Sequence, residues 1–364
     1  MSRTPILAVA ALLAASAAAP AFADCQARAS VPWTQAGSGY SADAVAHGPT
    51  CSTAVVMLVV RRPGGAVPWD AVDQKAPMPG NAPLWLDIRP AAAITALGAA
   101  DSEAMRVALE RWLGGQMRPR TTAELPPWPP ANLSGSLLVD GVTWTTTVAP
   151  TRWNELRAAK RAMMFDLRAP SAANIFVVGD KELEEVGAVA NAPVIAAAPL
   201  LPSPPRTKDC DAHEIVPWKQ AGPGYAVEVF ADGVECGNAA IAYVVRAPDG
   251  RPLHGDAVPG FANYLVREAI TDKATMARQL RTWANVIDDS TTATLPEWTD
   301  TDPDGQMKRG DFTTGPAPDF DRADWNALRT AARPMLVYVP GIETAVILAL
   351  MPDGRVAVVG QSGP

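Results

Sequence analysis

The chain is 364 residues long and carries 31 basic against 38 acidic side chains, for a net charge of −7 at pH 7. With its basic residues scattered along the chain, it lacks the basic patch that a nucleic-acid partner requires. Past the N-terminus no apolar run nears the roughly 20 residues of a membrane helix; the longest, over 345–351, has the length of a buried strand.

In chain order, the first feature is Arg3 followed by an apolar, Ala-rich run over 6–19 and the sequence Ala21-Phe22-Ala23. This pattern predicts a secretory signal peptide over 1–23, cleaved before Asp24. Pro20 interrupts the run, which is short for a span. Asp24 stands where a lipoprotein needs a small residue before its cysteine. The expected product is exported, periplasmic or secreted, and soluble, with no membrane span after cleavage.

Cys25, Cys51, Cys210 and Cys236 form two pairs with the same spacing of 26. In an exported chain an even count at equal spacing predicts the disulfides Cys25–Cys51 and Cys210–Cys236. Zinc is the weaker reading of these cysteines, since no C-x₂-C or histidine cluster lies near them in sequence.

The equal spacing is part of an internal repeat. Val31-Pro32-Trp33-Thr34-Gln35-Ala36-Gly37-Ser38-Gly39-Tyr40 returns as Val216-Pro217-Trp218-Lys219-Gln220-Ala221-Gly222-Pro223-Gly224-Tyr225, at an offset of 185. Without gaps, 25–61 and 210–246 share 17 of 37 positions. The match continues with deletions: Met105, Leu109 and Trp112 correspond to Met276, Leu280 and Trp283, and Trp153-Asn154 to Trp325-Asn326. The expected organisation is a first copy over 24–191, a Pro/Ala-rich linker over 192–208 and a second copy over 209–364.

Within the second copy, 226–230 and 240–246 read as strands. Thr271 is the expected cap of a helix whose apolar positions Met276, Leu280, Trp283 and Ile287 share one face. A second helix is expected from near Asp321, followed by strands over 335–339, 344–351 and 355–359. The first copy repeats the last three over 163–167, 174–178 and 186–190. Strands and helices come in blocks, which predicts an α+β fold: two tandem copies of a two-layer domain, each an antiparallel sheet with helices on one face.

Two local patterns point to ligands. Asp300, Asp302, Asp304, Gly305 and Asp311 occupy positions 1, 3, 5, 6 and 12 of a loop that resembles the calcium loop of EF-hands, where alternate carboxylates converge on a hard cation. Asp at position 12, Pro303 and the lack of flanking helices exclude an EF-hand, leaving a free-standing calcium loop or a solvated acidic turn. Trp128 and Trp298, in Pro-rich loops at matching places, are candidates for contact with a partner, the alternative being that they cap the helix–sheet edge. The paired V-P-W-x-Q-A-G-x-G-Y segments read more readily as packing than as a ligand platform.

Catalytic motifs are missing. His47, His213 and His254 are the only histidines, no two share an aligned column, and no nucleophile signature appears. The expectation is an exported, non-enzymatic binding or inhibitor protein whose partner is another envelope protein. The alternative is an exported hydrolase with an Asp/Glu site in one copy, supported by calcium.

Overall fold

The computed structural model describes residues 25–63, 83–94, 98–129, 135–169, 171–179, 183–191, 210–260, 270, 272–285, 288–300, 302, 305–309, 312–341 and 344–363. The expected signal peptide over 1–23 and linker over 192–208 lie outside them.

Each half opens with an antiparallel meander. In the first, β1 (Cys25–Pro32), β2 (Ser41–Gly48), β3 (Val55–Arg61) and β4 (Pro83–Pro90) pair in that order. In the second, β10 (Ala212–Pro217), β11 (Ala226–Asp232), β12 (Ala240–Arg246) and β13 (Pro252–Pro259) do the same. The expected disulfides are both present, Cys25–Cys51 and Cys210–Cys236, with Cα atoms 4.9 and 5.0 Å apart. The V-P-W-x-Q-A-G-x-G-Y segments make the turn from the first strand to the second. Trp33 and Trp218 are buried and meet Tyr40 and Tyr225 edge to face, while Gly39 and Gly224 both take φ +85°. A side chain there would be strained, so these motifs pack.

A helix then covers one face of each meander: α1 (Ser102–Gln116) and, in the second half, α3 (Lys273–Asn285). Met105, Leu109 and Trp112 bury against Ala42, Ala44, Ala46 and Leu58; Met276, Leu280 and Trp283 meet Val227, Val229 and Ile241. The cap of α3 is Asp272 rather than Thr271: its carboxylate accepts the Thr275 N–H at 2.8 Å, and the helix starts one residue later than expected. Ile287 lies outside the described residues.

The rest of each half forms a second antiparallel sheet, which corrects the expectation of one sheet per copy. In the first half β5 (Ser136–Val139), β6 (Val142–Thr146), β7 (Met163–Ala169), β8 (Ala172–Val178) and β9 (Leu183–Ala190) are ordered β5-β6-β9-β8-β7, with α2 (Pro150–Ala159) after β6. In the second half β14 (Asp288–Thr291), β15 (Met307–Arg309), β16 (Phe312–Pro316), β17 (Pro334–Tyr338), β18 (Ala345–Leu350) and β19 (Val356–Gly363) are ordered β14-β17-β18-β19-β16-β15, with α4 (Arg322–Ala331) after β16. Among the described residues the fold is thus mixed, with four α-helices and several antiparallel sheets, and the helices do not lie on one face of a single sheet. The edge strands β4 and β13 are bounded by prolines and broken by polar residues; β13 reads Pro-Leu-His-Gly-Asp-Ala-Val-Pro.

The meanders of the two halves share a core. Their strands alternate with period 2: Val56, Leu58 and Val60 of β3 face α1, while Val55, Met57 and Val59 face the other half. There they join Phe230 of β11 and Ala240, Ala242 and Val244 of β12 in one buried cluster. This explains why β3 and β12 are buried at every position. No described helix is long and apolar enough to cross a membrane.

Candidate functional site

The same alternation puts charged side chains between the halves. On β2 and β3, Asp43, His47 and Arg61 share the face opposite α1; on β11 and β12, Glu228, Asp232 and Arg246 share the face opposite α3. All six are buried. Arg61 Nε donates to Asp43 Oδ2 at 2.6 Å, and its Nη2 and Nη1 donate to the carbonyls of Asp232 and Asn238 at 3.1 and 3.4 Å. Arg246, 185 residues on, donates from Nε to Glu228 Oε2, and from Nη2 and Nη1 to the carbonyls of His47 and Thr53 at 3.0 and 2.9 Å. His47 aligns with Asp232 and Thr53 with Asn238, so each arginine grips the same two places of the opposite half.

The surroundings of the two arginines differ in chemistry. Beside Arg61, Arg28 of β1 reaches Asp232 Oδ1 at 2.5 Å, giving two cations and two carboxylates. Burial pushes the Asp43 carboxyl up and the Arg61 guanidinium pulls it down. Beside Arg246, the columns of Arg28 and Asp232 hold His213 and His47. His47 Nδ1 lies 2.7 Å and His213 Nε2 2.8 Å from Glu228 Oε1. The imidazoles are 4.2 Å apart between centroids, and His47 stacks on Phe230 at 4.8 Å. Burial raises the Glu228 carboxyl, but His213, His47 and Arg246 outweigh it and hold it well below the usual carboxylate range.

Both groups border a cleft of 460 Å³ between the halves. Gln26, Arg28, Val45 and His47 form one wall, and His213, Phe230, Asp232 and Lys273 are on the other. Alanines 27, 46, 212, 231 and 277 leave it open. Lys273 is paired with Asp211 at 2.5 Å. A second, small cavity of 10 Å³ touches His47, His213, Glu228 and Arg246.

The residues singled out in the sequence lie elsewhere. Trp128 is buried against Trp153 with ring centroids 5.2 Å apart, and Trp298 is half-buried. Asn154 accepts from the Trp128 N–H at 2.9 Å and donates to its carbonyl at 2.8 Å, and Asn326 clamps Trp298 in the same way at 3.3 and 3.0 Å. These tryptophans hold their loops onto α2 and α4. In the acidic loop, Asp300 pairs with Arg322, and Asp302 accepts from the Thr299 N–H and hydroxyl at 2.8 and 2.7 Å. Asp304 and Asp311 lie outside the described residues. His254 meets the Tyr338 hydroxyl at 3.3 Å, away from the other two histidines.

The His47–His213–Glu228 group is not visible from the aligned columns of the repeat, because no two histidines share one. They meet because column 28 of one half faces column 47 of the other. The available signal was ionisable residues at period 2 in strands that otherwise read as buried, at 43, 47 and 61 and again at 228, 232 and 246. No protein-family profile, curated protein or solved structure matches the chain.

Proposed function

We propose that the protein is an exported binding protein of the cell envelope, made of two tandem copies of one α+β unit, that takes up a small polar ligand in the cleft between them. One observation carries this reading: a cleft of 460 Å³ draws His47 and Arg28 from one half and His213, Asp232 and Lys273 from the other. Ligand sites favour such junctions, where a few convergent polar groups sit in a concave, largely apolar surface. The two disulfides are in keeping with export.

The hydrolase reading has less support. Carboxylate-pair hydrolysis needs two acids free to exchange protons, whereas Asp232 is tied to Arg28 and Arg61, and Asp211 to Lys273. A protein partner docked on Trp128 and Trp298 is also less supported, because both loops are clamped by asparagines. Calcium at the acidic loop is no part of this reading.

Native mass spectrometry of protein isolated from the envelope tests the proposal. Wild type should carry a small-molecule adduct, and Gln26→Trp, which crowds the cleft from an exposed position, should lose most of it. No adduct on wild type, or an equal one on the variant, overturns the reading.

A further inference from the structure

We propose that His47, His213 and Glu228 form a binding site for a divalent transition-metal ion, zinc in the first instance. The assignment deepens the cleft reading and rests on it only for access. Among the described residues this is the one group of three potential ligands whose donor atoms all lie within 4.8 Å of one another.

The donor set selects the metal class. Two imidazole nitrogens and one carboxylate oxygen suit zinc and its neighbours, whereas calcium and magnesium want shells of oxygen. All four cysteines are in disulfides, so thiolate ligands are excluded. Three protein ligands leave a fourth position of a tetrahedral ion for water or a cleft-bound ligand.

Geometry supports the assignment in three ways. Arg246 and the histidines take different oxygens of Glu228: Oε2 receives Arg246 Nε, and Oε1 faces both rings. A cation bound to the remote oxygen of a ligating carboxylate orients it, as outer-shell partners do. Next, His213 Nε2 is shielded from solvent and lies 2.8 Å from Oε1, yet off the direction of a hydrogen bond. A metal ion shared with the other two donor atoms, all within 4.8 Å of one another, would give that nitrogen a partner. Tetrahedral bonds of about 2.0–2.1 Å put ligand atoms a little over 3 Å apart, so both nitrogens must retreat from Oε1 by about half an ångström. The 10 Å³ cavity beside the three residues gives room for that movement.

The repeat supplies an internal comparison. At the equivalent place Arg28 and Asp232 neutralise each other and fill the site with a salt bridge. Replacing that pair of columns by His213 and His47 removes both fixed charges and brings in two imidazole nitrogens that can ligate a metal.

The test uses the full-length mature chain, free of any histidine tag, with zinc chloride as the probe. Calorimetric titration and metal analysis after dialysis should give one zinc per chain. His213→Ala, at a half-exposed position, and His47→Ala should each weaken zinc binding at least about 100-fold, beyond the roughly 10–100-fold typical of a lost outer-shell partner. Asp302→Ala should bind as wild type does. Far-UV circular dichroism identifies which variants are folded, and if His47→Ala is not, His213→Ala decides. Wild type that retains no zinc, or a folded His213→Ala that retains as much, overturns the site. Wild type that binds no zinc but carries the Gln26-sensitive adduct overturns the metal alone; zinc binding with no adduct on wild type overturns only the small-molecule reading.

Discussion

Arg61 and Arg246 stand 185 residues apart in the chain and make the same contact from opposite sides of one interface. Each is held by an acid of its neighbouring strand and reaches two backbone carbonyls of the other half. This reciprocity is what an isologous dimer interface looks like, here within a single chain. It makes the two arginines the polar anchors of a contact whose centre is apolar, from Met57 across to Ala242 and Val244.

Removing one anchor should be costly. Arg61→Met roughly keeps the volume but leaves Asp43 buried without its cation and takes one of two arginines from Asp232; breaking such a pair costs about 3–5 kcal/mol. Arg281→Met, which breaks the exposed pair with Glu214, should hardly change stability. Urea titration of both variants measures the difference, and an Arg61 effect as small as that at Arg281 contradicts the anchoring role.

Because the halves share a buried cluster, the chain should unfold in one calorimetric transition. Met57→Ala, at the centre of that cluster, should cost about 2–5 kcal/mol and lower the whole transition. Protease cleavage within 192–208 should leave two fragments that still elute together on size exclusion. Two resolved transitions, or fragments that separate, would show that the halves fold alone.

Each disulfide closes a loop of sequence separation 26. On the chain-entropy model, replacing Cys25 and Cys51 together by serine should cost about 3–4 kcal/mol. Denaturant midpoints of the double variant check this. Peptide mapping without reduction should recover Cys25 with Cys51 and Cys210 with Cys236, and no crossed pair.

Burial pushes the His254 imidazole below its ordinary value, against the pull of the nearby Asp256 carboxylate. Around it, the Tyr338 hydroxyl lies at 3.3 Å and itself donates to Asp256 at 2.9 Å. In the unfolded chain the ring takes a proton near its usual value, about 6.5, while in the fold it does so only at lower pH. The contribution of this group is therefore present above about pH 6.5 and lost as pH falls through the folded value. Urea midpoints measured downward from pH 7.5 should decline less steeply for His254→Asn than for wild type. Parallel declines would show that another group carries the acid limb.

Much of the local structure was legible in the sequence. Equal cysteine spacing within a repeat announced both disulfides, apolar runs announced β11, β12, β17 and β18, and the spacing of Met276, Leu280 and Trp283 announced the buried face of α3. These features follow from short-range periodicity and from chain closure, which are properties of one segment. The edge strands β4 and β13 were hidden because prolines bound them and polar residues break their alternation. Trp128 read as a surface candidate because its loop is rich in proline, and only the clamp by Asn154, 26 residues away, decides that it is buried. The meeting of His47 with His213 and Glu228 was beyond any segment-by-segment reading. It depends on which faces of two meanders pack together, and that choice is made by many small apolar contacts between residues far apart in the chain, with the ionisable side chains carried to their places by the register of the strands.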